Sequence, residues 1–165
     1  MYGALTETGA GLIVQYGLVL LLVVFVLEGA LVGKLIPTRA LFVAAVLAVG
    51  SDGVVAVVAA AVVGATLGQL VLFGLVRYTA AGPATLPGPD GLEGGRLDEW
   101  FDRWGLSAVA VSNTLPVARG SLTVPAALSE TTPARFSASS LAGSAVYACG
   151  LLVVALGLEA LLAGF

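Results

Sequence analysis

Three long stretches of this chain carry no charged residue, and that feature limits its fold more than any other. Residues 8–27, 53–76 and 136–158 contain no Asp, Glu, Lys or Arg and are 20, 24 and 23 residues long. A helix rises 1.5 Å per residue, so about 20 apolar residues cross the hydrocarbon core of a bilayer. Charged residues make up 10% of the chain, against the about 25% usual in a soluble domain. Mean hydropathy is +1.05. The chain reads as an integral membrane protein. The first stretch reads as a retained span, because Glu7 stands where a signal peptide carries its basic flank.

Charge and composition exclude several function classes. Net charge is −3 and no basic patch is present, so nucleic acid is not an expected partner. There is no histidine and only one cysteine, Cys149. That removes histidine catalysis, histidine metal ligation, an intrachain disulfide and multi-cysteine metal sites. No Gly-rich phosphate loop, carboxylate pair in a polar setting or nucleophile motif occurs. The expectation is a protein that is not an enzyme and holds no cofactor or metal.

The expected organisation is a single all-α membrane domain over residues 1–165. A span covers 9–27, an interrupted apolar segment 28–52 and a second span 53–78. Residues 79–96 (TAAGPATLPGPDGLEGGR) are a Gly/Pro-rich loop. In LDEWFDRW, residues 97–104, Leu97, Trp100, Phe101 and Trp104 fall at i, i+3, i+4 and i+7 on one face. Such a helix suits a membrane surface, or packs ordinarily on a neighbouring domain. A second interrupted segment covers 105–130 and a third span 133–163, where Pro133 suits a first helical turn.

The two interrupted segments resemble each other. LIPTRALFVAAVLAVGSD (35–52) and TLPVARGSLTVPAALSE (114–130) each hold a Pro, an Arg two or three residues later, and small residues ending at Ser-acid. Pro37 and Pro116 each remove a backbone donor and turn the preceding residue away from helix. Glu28, Lys34, Arg39 and Arg119 are costly in hydrocarbon. Broken backbone at membrane depth needs protein or a wet cavity around it. Both segments are therefore expected to be re-entrant hairpins entering from opposite faces, in an inverted-repeat arrangement typical of transport sites. On this course the N-terminus, loop 77–104 and Arg135 share one side, and Asp52 and Glu159 the other. Arg77, Arg96, Arg103 and Arg135 make the first side cytoplasmic, in the plasma membrane.

Residues 101–148, FDRWGLSAVAVSNTLPVARGSLTVPAALSETTPARFSASSLAGSAVYA, resemble the signature of the DedA family, also called SNARE-associated or VTT-domain proteins. Phe101, Arg103, Gly105, Pro116, Arg119, Pro125, Pro133, Phe136 and Gly143 match it in order. Glu28 resembles the acid that opens the family's first hairpin, and Pro37 the proline of its turn. Two positions depart: Arg39 stands where the family has glutamate, and Asn113 where it has arginine. The resemblance implies two facing re-entrant hairpins, and movement of lipids across the bilayer, with polyprenyl phosphates or phospholipids as substrates. Some members behave as if coupled to protons.

The candidate substrate-binding residues are Arg119, Arg39, Glu28, Asn113 and Lys34. Arginine's planar fork suits phosphate, and a restarting helix points its positive end at an anion. The plain alternative is that these arginines cap hairpin carbonyls or pair with Glu28. Ser121 and Asn113 offer hydrogen bonds to a headgroup or to backbone. Gly29-x-x-x-Gly33 and Gly64-x-x-x-Gly68 permit close helix contact. The leading function is a lipid transporter or scramblase, with membrane lipids and a second copy, as a homodimer, as partners. The alternatives are an ion- or proton-coupled small-solute transporter and a non-transporting scaffold.

Overall fold

The computed structural model describes residues 2–30, 37–79, 94–116 and 118–164. Lys34 and Gly33 lie outside the described residues, as do most of loop 79–96 and the side chain of Leu97. Among the described residues the fold is all-helical: α1 (Tyr2–Gly29), α2 (Thr38–Tyr78), α3 (Gly94–Trp104), α4 (Leu106–Thr114), α5 (Thr123–Leu128) and α6 (Pro133–Ala163). Two helices are long and apolar enough to cross a membrane, α2 and α6.

α2 is bent back on itself. Gly50 has φ 62° and ψ −164°, outside helical space and open to glycine without strain. The consequence shows at Phe25 of α1, which touches both arms. Its ring meets Phe42 edge-on at 6.2 Å, and its Cβ lies 2.9 Å from where a side chain on Gly64 would begin. A straight helix would hold residues 42 and 64 about 33 Å apart. The first arm, 38–49, therefore returns along the second, 51–78, and Phe42, Val46, Val57 and Ala61 share one core cluster with Phe25.

α1 runs parallel to the second arm of α2. Leu22, Phe25 and Val26 face Gly64, while Val26, Gly29 and Ala30 face Gly68. Hydrophobic burial supplies little between helices already surrounded by lipid, and close backbone approach takes its place. α6 runs antiparallel to the same arm: Phe136 stacks on Phe73 at 4.6 Å and Ser140 reaches Gln69 at 2.6 Å. α4 runs parallel to α6, with Ser139 bonded to the Leu106 carbonyl and Gly143 against Ala110. α5 then returns from the 115–122 turn to the start of α6. Thr132 caps α6, accepting from the Arg135 amide, and Pro133 opens its first turn as expected.

The result is two hairpins, α1 with the first arm of α2, and α4 with α5, each lying along one long helix. Because the long helices are antiparallel, the hairpins enter from opposite ends of the bundle. Arg77 fastens the Pro133 end, donating from Nη1 to the carbonyls of Ser129 at 3.1 Å and Thr131 at 2.6 Å. The expected face of α3 divides. Phe101 is buried and Trp100 packs on the core of α2, α5 and α6, but Trp104 stays 56% exposed with the Arg103 guanidinium 5.8 Å from its ring.

The structure redraws the first third of the chain. Glu28 does not end a span over 9–27 and open a hairpin over 28–52: α1 continues through it to Gly29 and is itself the hairpin's first arm. Because α1 is parallel to the second arm, the N-terminus lies toward Gly50 and Asp52, not with Arg77 and the 79–96 loop. Helix packing makes one prediction. A Cβ on Gly68 would sit 2.0 Å from the Val26 carbonyl oxygen, and backbone cannot yield. Gly68→Ala should lower stability by about 1–3 kcal/mol, read as a fall in thermal midpoint in a fixed detergent. Gly74→Ala, whose Cβ meets nothing within 4 Å, should leave the midpoint unchanged or raise it.

Candidate functional site at the hairpin tips

The two hairpin tips meet inside the bundle. Pro37, exposed, sits at the N-cap of α2, and one turn of helix follows it. Arg39 projects from that turn across to the other hairpin. Its Nη2 donates to the Pro116 carbonyl at 2.9 Å and its Nε donates to the Tyr147 hydroxyl at 3.0 Å. A proline carbonyl at a helix break has lost its helical donor, so a guanidinium is a fitting cap. The plain alternative raised for the arginines thus holds for this one: it caps a hairpin carbonyl.

Arg119 is different. It follows the second break, and its guanidinium lies over the Tyr147 ring at 4.1 Å and 5.9 Å from the ring of Phe25. Aromatic faces attract a cation without neutralising it. Its Nε and Nη1 are buried with no hydrogen-bond partner. Glu28 lies one helical turn beyond Phe25 on the same face of α1, and its Oε2 is also buried and unpartnered. A buried donor or acceptor without a partner is destabilising by about 1–3 kcal/mol, more if charged. Groups left so at a hairpin junction mark the position of a polar guest.

Asn113 is fully buried and its amide is committed to the protein. It exchanges two hydrogen bonds with Gln69: Gln69 Nε2 donates to Asn113 Oδ1 at 3.0 Å, and Asn113 Nδ2 donates to Gln69 Oε1 at 2.9 Å. The Gly120 amide also donates to Asn113 Oδ1, at 3.0 Å, and Gly120 holds φ 75°, a turn that suits glycine alone. Ser140 donates to Gln69 Oε1. This network pins the tip of the second hairpin to α2 and α6, and positions Arg119 beside it. Ser121 likewise turns inward, donating to the Ala118 carbonyl at 2.6 Å.

Of the expected site residues, Arg39, Arg119 and Glu28 converge with Pro116, while Asn113 stands behind them as support. Tyr147, Phe25 and Gln69 were missed. A sequence signal existed for the first: Ser140, Ser144 and Tyr147 fall at i, i+4 and i+7, a polar stripe on an otherwise apolar helix. Ser144 Oγ is buried without a partner, so the stripe faces the interior.

Two inverted hairpins meeting on cationic side chains, inside a bundle with long apolar helices, define a helical membrane domain of the kind built around a central binding site. The model of the VTT domain matches residues 36–156. The chain belongs to that family, the DedA/SNARE-associated proteins, which is membrane-associated and transport-related. The match begins after α1, so Glu28 and Phe25 complete the site from outside the matched residues. No curated protein and no solved structure matches the chain.

The amide network yields a prediction. Asn113→Ala strands Gln69 and the Gly120 amide, and should cost about 1–3 kcal/mol of stability. Gln69→Ala should cost a similar amount. The double variant should lose less than the sum, with a coupling of about 0.5–3 kcal/mol, measured by thermal unfolding in micelles.

Proposed function

We propose that this protein moves phosphate-bearing lipids, a polyprenyl phosphate or a phospholipid, across the bilayer. The observation that carries the reading is Arg119: a buried guanidinium with two unfilled donor groups, held at the junction of two hairpins that enter from opposite ends. A phosphate oxygen satisfies such donors, and a guanidinium remains charged while waiting for one. The hairpins are read as re-entrant in the membrane, with their tips near mid-depth, so a headgroup arriving from either face reaches the same place. The bundle end that carries Arg77, Arg103 and Arg135 is read as cytoplasmic, in the plasma membrane. The N-terminal end of α1 then points away from the cytoplasm.

The arginine at position 39 supports the reading differently from its partner. Two of its nitrogens are committed to Pro116 and Tyr147, so it contributes positive field and joins the tips, while Arg119 offers the bonds. Glu28 limits the excess positive charge to one unit across the three groups, enough for an anionic headgroup to bind and still leave.

The test is lipid translocation in proteoliposomes, with a fluorescent phospholipid and a polyprenyl phosphate assayed separately. Wild type should move at least one of them. Arg119→Ala should slow it about tenfold or more, the loss expected for hydrogen bonds to a charged group. Folded wild-type protein that moves neither lipid would overturn the reading, and uptake of inorganic phosphate in its place would turn it toward a small-solute path.

A further inference from the structure

Tyr147 makes two separate contacts with two arginines from two hairpins. Its hydroxyl accepts from Arg39 Nε at 3.0 Å, and its ring face carries the Arg119 guanidinium at 4.1 Å. The side chain is only 7% exposed, and it stands on α6, a long helix that both hairpins pack around. Neither arginine is held by a carboxylate in these contacts. The tyrosine thus does what a carboxylate would do for position, without cancelling charge.

We propose that Tyr147 is the positioning residue of the anion site. The hydroxyl sets the reach of Arg39 to the second tip, and the ring sets the plane of Arg119 so that its unfilled donors stay turned to the guest. The assignment rests on the lipid-phosphate reading for the identity of the guest, but not for the geometry. The two contacts use different atoms of one side chain, so two substitutions separate them. Tyr147→Phe removes the hydroxyl and keeps the ring. Tyr147→Leu removes both and keeps an apolar side chain.

Purely structural support would ask only for a filled volume. Phenylalanine would then restore everything. A positioning role asks for more: phenylalanine must keep Arg119 in place and release Arg39. The guanidinium groups report this directly. Protons above an aromatic face resonate upfield, and a hydrogen-bonded Nε–H exchanges slowly with water.

The experiment labels the six arginines with nitrogen-15 at Nε, in micelles, and assigns each resonance by its single Arg→Lys variant. Wild type should show an upfield-shifted Arg119 and a slowly exchanging Arg39. Tyr147→Phe should speed exchange at Arg39 alone. Tyr147→Leu should also return Arg119 to an ordinary shift. In the translocation assay Tyr147→Leu should fall about tenfold, near the loss of one desolvated cation–π contact and a charged hydrogen bond, and Tyr147→Phe by less.

Arginine resonances left unchanged in Tyr147→Leu would overturn the proposal, as would full recovery by Tyr147→Phe of both the Arg39 exchange rate and transport. Wild type that moves no phosphate lipid would remove the lipid reading instead. The arginine resonances would still decide whether Tyr147 sets the two guanidinium groups.

Discussion

A backbone carbonyl freed by a proline inside an apolar bundle needs a donor, and in this protein the donor comes from the opposite hairpin. The bond from Arg39 to the Pro116 carbonyl answers the constraint that governs broken helices away from water: each polar backbone group must find its partner within the protein. Because each hairpin is too short to be stable alone, the tips are joined where both are weakest. The amide pair of Gln69 and Asn113 extends that join to the long helices. Those bonds fix where the chain is open and where it is closed, and the unfilled donors of Arg119 are what the arrangement leaves over.

The rest of the bundle is held by shape. Gly29, Gly64, Gly68 and Gly143 bring backbone against backbone, each with a carbonyl oxygen within 2.7 Å of where a side chain would begin. Such contacts suit a solvent as apolar as the helices themselves. They also set the depth of the hairpins, because the level at which Gly29 meets Ala65 determines how far Glu28 and the first tip reach. Packing and chemistry are thus linked through the helix register, not through the site alone.

Much of this was legible in the sequence, for physical reasons. The prolines at 37 and 116, each followed by arginine, announced two broken segments because proline has no amide to give. Gly64 and Gly68 announced close contact by their spacing. The course of α1 was not legible. An acid after twenty uncharged residues looks like the end of a span, yet Glu28 remains in the helix, its carboxylate taken inward by the bundle. Asn113 was recognised as polar in an apolar setting, but its role depends on Gln69, which is 44 residues away in the chain. Tyr147 resembled ordinary apolar filling because one aromatic residue says nothing of which charges approach it. Its alignment with Ser140 and Ser144 was the available clue.

The antiparallel course of α2 and α6 has a mechanical consequence. Two similar hairpins, approached from opposite ends, give the junction nearly the same surroundings above and below. A passage built that way carries no preferred direction of its own. Net flow through it follows whatever imbalance exists between its two ends, as in a revolving door. The only asymmetry at the centre is chemical: one arginine is committed to holding the frame, and the other is free to meet what enters.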